Sequence, residues 1–288
     1  MAHFTPSSRY DGGMLLLTML ACVATCADDE TRVDGACVPY VADTPHDTTA
    51  WQPAPGTSWQ IQFSGALDTS LDVEMFDLDL FDTTAADWDA LEGSKRICYF
   101  SAGSYEDWRP DAADFPDEAL GDPLDGWPGE WWLDITNSAV RDIMLARLDY
   151  AAERGCDGVD PDNVNGYQNP TGLGLTATMQ LDYNRFLADA AHDRGLSIGL
   201  KNDIDQLVDL EPWFDWALNE ECADYQECSG YSVFTTDAQK AVFHVEYVDD
   251  WADAQAQADA VCGAGPELDT LVKTWDLGVE RLACEATR

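Results

Sequence analysis

The chain has 288 residues, 45% of them hydrophobic, with eleven Trp. That is enough apolar material for a large core, and it excludes a chain disordered throughout. Its 55 acidic against 15 basic residues give a formal net charge of −40, which argues against nucleic acid and anionic lipid as partners and favours a cationic ligand. Solubility, or life in strong salt, is the plainer reading of the same charge.

The first residues read as an export signal. Met14 to Ala27 is apolar and follows a short segment carrying Arg9 and Asp11; it is too short to span a bilayer, and small residues near Ala24 and Ala27 suit a signal peptidase. Leu20-Ala21-Cys22 also fits a lipoprotein cleavage site, with Cys22 as the lipidated residue. Residues 1–27 are therefore expected to be a signal, and the protein to be secreted or held at the outer cell surface. No later segment is apolar enough to cross a membrane. Residues 28–56, rich in Asp, Thr, Pro and Ala, are expected to be a flexible linker, and 57–288 a single folded domain.

Within that domain, Trp59 to Phe63 alternates as a strand, Val73 to Phe81 is an extended run carrying Glu74, Asp77 and Asp79, and Lys95 to Ala102 is a third strand. Trp132 to Ile135 is a fourth, short extended piece. A helix follows, capped by Asn137 or Ser138, with Val140, Met144, Leu148 and Ala151 on one face and Gly155 as its stop. Cys156 to Val159 is a strand. Another helix runs from about Thr176, with Met179, Tyr183, Phe186, Leu187 and Ala190 on one face, and ends at Gly195. Leu196 to Leu200 is a strand, Ile204 to Leu210 a short helix, Phe214 to Leu218 a strand, and Val242 to Val245 another. The helix Asp250 to Val261 and the strand Leu268 to Thr274 complete the series. Strands and helices alternating at this spacing imply α/β architecture, a parallel sheet with right-handed crossovers; about eight strands close a single (β/α)8 TIM-type barrel, with a doubly wound open sheet as the competing arrangement.

Nine cysteines in an exported protein suggest disulfides. Cys222 with Cys228, just after Glu220, and Cys262 with Cys284 are the expected pairs. Cys98 lies in an apolar strand and is equally well read as a buried thiol; the pairing of Cys37 and Cys156 stays open. Zinc-type spacings are absent, the run Asp160 to Gly166 fails the calcium-loop spacing, and there is no nucleophile elbow, phosphate loop or dinucleotide fingerprint. No metal and no cofactor is expected.

Polar residues accumulate where strands end, which in a barrel of this kind is the rim that carries the site. Asp162 and Glu220 each follow an apolar strand, and two convergent acids are the minimum equipment for cleaving a glycosidic bond. Asp160 beside the first and Glu221 beside the second are the alternatives. Asp160 and Asp162 are close enough to separate in pKa, as an acid and a base require. Of the adjacent Glu220 and Glu221 only one points inward in an extended chain, and Glu220 is favoured. Lys201 either pairs with Asp203 or holds a carboxylate in its ionised form. Asn163, Glu246 and Tyr247 are further strand-end candidates. Tyr99, Trp108, Tyr167 and Tyr247 offer faces for sugar rings, although Trp108 and Arg109 are as well explained by loop packing.

Long colinear segments carry a resemblance: Trp-Gln-Ile-Gln-Phe-Ser-Gly (59–65), Asp-Leu-Asp-Leu-Phe-Asp (77–82), Ile-Cys-Tyr-Phe-Ser-Ala-Gly-Ser-Tyr-Glu-Asp-Trp-Arg-Pro (97–110), Leu-Asp-Gly-Trp-Pro-Gly-Glu (124–130), Gly-Val-Asp-Pro-Asp-Asn-Val-Asn-Gly-Tyr (158–167), Gly-Leu-Lys-Asn-Asp (199–203), Asn-Glu-Glu-Cys (219–222) and Val-Glu-Tyr (245–247). Together they resemble glycoside hydrolase family 114, the endo-α-1,4-polygalactosaminidases, over about 57 to 275. The resemblance implies a (β/α)8 barrel that hydrolyses α-1,4-linked galactosamine within a biofilm-type polysaccharide. It places the catalytic acids at Asp162 and Glu220 and sugar contacts at Asp79, Tyr99, Lys201, Asp203 and Tyr247. The expectation is a monomer acting on a cationic galactosamine-containing polysaccharide, with Asp162 as nucleophile and Glu220 as general acid/base of a retaining reaction. A non-catalytic polysaccharide-binding protein on the same barrel, or a hydrolase of a different polysaccharide, is the alternative.

Overall fold

Eight parallel strands form one curled sheet: β1 (Trp59–Gln62), β2 (Met75–Asp79), β3 (Lys95–Ser101), β4 (Gly158–Asp162), β5 (Ser197–Lys201), β6 (Trp216–Glu220), β7 (Val242–Val248) and β8 (Asp269–Thr274), each paired with its neighbour in chain order. The computed structural model describes residues 48–262 and 268–284 and the backbone of 30–33 and 36–39; the expected signal and Cys22 lie outside these, as does the Cys37 side chain. No helix among the described residues is long and apolar enough to cross a membrane.

The strands are buried on both faces, and most of their residues are apolar. Trp59, Ile61, Met75, Ile97, Trp216, Leu218, Phe243, Val245 and Leu271 make one buried cluster inside the barrel. A larger cluster lies between the strands and the helices and includes Trp88 of α1 (Ala85–Ala90), Val140, Met144 and Leu148 of α2 (Ser138–Arg154) and Tyr183 and Leu187 of α3 (Ala177–His192). The caps match the sequence: Asn137 accepts from the Ala139 N–H, Thr176 from the Met179 N–H, and Gly155 ends α2 with φ of 77°. Gly199 is required by packing, because a Cβ there would stand 2.3 Å from the Trp216 ring.

Between β8 and β1 the sheet is sealed by the segment after β8. Phe63 and Ser64 N–H donate to the Leu277 carbonyl, the Arg281 guanidinium donates to the Trp59 carbonyl, and the Trp59 indole donates to the Asp269 carbonyl. A two-residue antiparallel strand, Leu282–Ala283, pairs on the outer side of β8.

Three expectations need correction. The extended piece at 132–135 is not a barrel strand: Glu130–Leu133 is the middle strand of a separate antiparallel sheet with Ser104–Glu106 and Leu120–Pro123, an excursion between β3 and α2. Its three apolar and aromatic residues, Trp131, Trp132 and Leu133, favour a strand without specifying a partner. The linker region is not structureless. Residues 30–33 and 36–39 form an antiparallel hairpin against α3. Trp51 packs on the inner cluster, and Gln52 donates to Asp215 Oδ1 and Gly56 N to Asp269 Oδ2. Composition hid these contacts because they lie far away in sequence. Finally, Cys98 is not a free thiol but is joined to Cys156, bridging β3 to the residue two before β4; the expected bridges Cys222–Cys228 and Cys262–Cys284 are both present.

Candidate active site

The C-terminal ends of the strands surround an open cleft of about 430 Å³. Its floor is a buried cluster of charges. Lys201, 2% exposed at the end of β5, holds its Nζ 3.4 Å from Asp160 Oδ2, 3.6 Å from Asp162 Oδ1 and 3.6 Å from Glu220 Oε2. It does not pair with Asp203. The three carboxylates around it keep the ammonium protonated, outweighing the burial that would strip its proton. Because both contacts share one nitrogen, Asp162 Oδ1 and Glu220 Oε2 lie no further apart than twice 3.6 Å.

Each rim acid is held by its own donors. The Tyr99 hydroxyl donates to Asp162 Oδ2 at 2.9 Å and the Asn163 N–H to Oδ1 at 2.8 Å. The Tyr247 hydroxyl donates to Glu220 Oε1 at 2.6 Å, and Asn202 Nδ2 to Oε2 at 3.3 Å. Burial, and then the adjacent carboxylate, pushes both phenols well above their ordinary range, so both stay donors. Beneath them Asp77 and Asp160 are fully buried. Burial, then the charge of Asp160, drives Asp77 well up, and burial raises Asp160 to about 6 against the pull of Lys201. A protonated Asp77 donating to Asp160 accounts for oxygens that otherwise have no protein partner.

The rim backbone is unusual. Asn163 (φ 61°), Asn202 (50°), Asp203 (49°) and Glu221 (65°) put left-handed residues directly after β4, β5 and β6. Such turns bend the chain away from the barrel axis immediately beyond a functional side chain. The loop after β3 also presses closely on the Asp162 loop: the Ala102 and Gly103 N–H groups donate to the Asp162 carbonyl, and a Cβ on Gly103 would lie 1.8 Å from the Asn163 oxygen.

Of the expected site residues, the cleft brings together Asp162, Glu220, Tyr99, Asn163, Lys201 and Tyr247, with Asp160 under its floor. Four stand elsewhere. Asp79 receives both Arg109 terminal nitrogens, at 2.9 and 2.8 Å, plus the N–H groups of Phe81 and Asp82. Asp203 turns to Asn184 and the Tyr167 phenol on the α3 side, where burial pushes it up to about 7. Glu246 is buried against His244, Ala223 N and Gln257. Trp108 lies over Gly129, half exposed, outside the cleft. Tyr167 likewise does not line the cleft. Conversely, the cleft walls include residues not anticipated: Phe63, Leu124, Trp127, Glu130, Asn165, Asn202, Trp275, Asp276 and Leu277. Glu221, the alternative to Glu220, also reaches the wall. Trp275 stacks on Tyr247, centroids 4.3 Å apart and planes at 15°, leaving a broad aromatic face beside Glu220. The run Leu124–Glu130 was legible as a motif without revealing that it faces the cleft.

Comparison with known proteins agrees with this geometry. The description of glycoside-hydrolase family GH114 matches residues 41–288. The chain belongs to glycoside-hydrolase family GH114. A crystal structure of Aspergillus fumigatus Ega3 in complex with galactosamine superposes on this GH114 chain with a TM-score of 0.79 at 46% identity, covering 83% of this chain and 99% of Ega3. The glycoside hydrolase domain of PelA from Pseudomonas aeruginosa shares the fold, with a TM-score of 0.63 at 15% identity over 78% of this chain and 98% of that domain. No curated protein sequence matches the chain. The protein is thus a glycoside hydrolase on a TIM-type barrel, as its sequence suggests.

Proposed function

We propose that this GH114 enzyme is exported and cleaves α-1,4-linked galactosamine polymer from within the chain, by a retaining mechanism. The observation that carries the reading is the charge of the cleft: Glu130, Asp162, Glu220, Glu221 and Asp276 line it against a single cation, Lys201. A polymer of unacetylated galactosamine carries an ammonium on every ring and would be drawn to such a surface. Ega3, with nearly half its residues identical, was crystallised with galactosamine. The open cleft and the exposed faces of Trp127 and Trp275 suit a chain that runs past the site in both directions.

In this mechanism Asp162, fixed by Tyr99, Asn163 N and Lys201, attacks the anomeric carbon, while Glu220 gives its proton to the departing glycosidic oxygen. Water then attacks the glycosyl–Asp162 ester, with Glu220 taking the proton back. Retention needs carboxyls about 5–5.5 Å apart and inversion about 6.5–9.5 Å. The shared Lys201 contact excludes the upper part of the second range for the facing oxygens. Three disulfides fit an oxidising compartment.

The test is digestion of galactosamine oligomers followed by mass spectrometry, with NMR of the first-formed anomer. The wild type should give shorter oligomers of retained configuration, and Asp162→Asn should lose at least about 10³-fold in kcat. Absence of shorter products would leave a binding protein on the same barrel; a full-rate Asp162→Asn enzyme would remove the nucleophile.

A further inference from the structure

Glu130 stands on the antiparallel excursion between β3 and α2 and is one of the residues that line the cleft. The residue is 8% exposed. Oε2 accepts the Ser104 hydroxyl at 2.8 Å, and Ser104 is itself held by the Ser101 hydroxyl at 2.6 Å and Asn163 Nδ2 at 3.1 Å. Glu130 is thereby fixed beside the loop that carries Asp162. Among the described residues no ion pair reaches it. Arg109, the cation whose field it feels, directs its guanidinium to Glu106 and Asp79 instead. Its other charged neighbours, Glu106 and Asp162, are of its own sign. Burial, and then these two carboxylates, push Glu130 up to about 7 although Ser104 pulls it down.

A buried carboxyl without a counter-ion is costly unless a ligand supplies one. We propose that Glu130 reads the amino group of the substrate, pairing with the primary ammonium of a sugar ring in the subsite next to Asp162. An ammonium supplies the missing charge and a charge-assisted hydrogen bond. An N-acetyl group at that place is neutral and cannot form the ion pair. Trp127, on the same excursion and 55% exposed, offers its face to the ring. Glu130 then separates deacetylated from acetylated polymer, while Asp162 and Glu220 perform chemistry common to both. The inference rests on the hydrolase reading above for the identity of the sugar.

Its test is kept separate from cleavage. Asp162→Asn protein and the double variant Asp162→Asn/Glu130→Gln are titrated calorimetrically with a galactosamine tetramer and an N-acetylgalactosamine tetramer. Gln keeps an acceptor for Ser104, so a purely structural role would move both ligands together. The expected result is that Asp162→Asn prefers the galactosamine tetramer, that Glu130→Gln lowers this preference by about tenfold, and that Glu130→Asp restores part of it. An unchanged preference, a parallel fall for both ligands, or failure of the Asp162→Asn protein to bind the galactosamine tetramer overturns the assignment. Wild-type digestion of the same tetramers is scored independently: no products with an intact, Glu130-dependent preference would sink the hydrolase reading alone.

Discussion

Two lysines lie buried inside this barrel, and they live in opposite surroundings. Lys201, on β5, is ringed by Asp160, Asp162 and Glu220. Lys273, on β8, is 0% exposed, and its hydrogen-bond partners are neutral: Gln60 Oε1 at 3.2 Å and the Gly278 carbonyl at 2.7 Å. The first is held firmly protonated; burial, and then Arg281, pulls the second down to about 7. The same side chain thus serves as a fixed charge on one side of the barrel and as a titrating group on the other. What differs is whether carboxylates were placed within reach to offset its loss of water.

Substitution of the two should separate them sharply. Lys201→Met leaves three carboxylates around an empty cation position, so we expect a loss of at least about 10³-fold in kcat and roughly 3–5 kcal/mol of stability by urea unfolding. An active, stable Lys201→Met enzyme would mean that the carboxylates hold their places without it. Lys273→Met should affect turnover little and show itself in the pH dependence of stability. A lysine whose folded pKa lies below its unfolded value binds fewer protons folded than unfolded between those two values. Stability therefore rises as pH climbs from about 7 towards about 10.4, and the contribution is lost as pH falls back through about 7. Melting curves between pH 7 and 10 should show that rise in the wild type and a flatter profile in Lys273→Met. Equal slopes would place Lys273 in water-like surroundings. The smallest effect concerns the rim on the Lys201 side. Glu221 holds φ of 65° without being glycine, and Glu221→Gly should gain about 1 kcal/mol by relieving it. If the gain is absent, the contacts of Glu221 offset the backbone cost.

The charged side of the barrel was far more legible in the sequence than the seam. Asp162 and Glu220 end short apolar strands, and such runs declare a parallel sheet and its C-terminal rim without knowledge of any partner. Misplaced residues fell where alternation or register needed tertiary information. β7 runs on to Val248, so Tyr247 faces inward with Val245 and Phe243 while Glu246 faces out; a strand ending at Val245 makes both look available. Asp79 is diverted by Arg109, thirty residues on. Asp203 is turned outward by consecutive left-handed residues that no local pattern announces. Glu130 opens a four-residue strand paired antiparallel across the excursion, and Trp127 lies in the turn just before it. Trp275 and Leu277 reach the cleft only because their segment seals the seam.

That seal also dictates a timetable. Arg281 meets Trp59 across 222 positions of chain, and Trp275, Asp276 and Leu277 complete a wall of the cleft. A growing polypeptide therefore carries both acids long before it can enclose a sugar between its walls. Until those late residues emerge and dock, the barrel is an open sheet with its first and eighth strands unjoined, so closure waits on contacts that span most of the chain. The acids alone therefore do not make a working cleft; its far wall is supplied by residues among the last of those described.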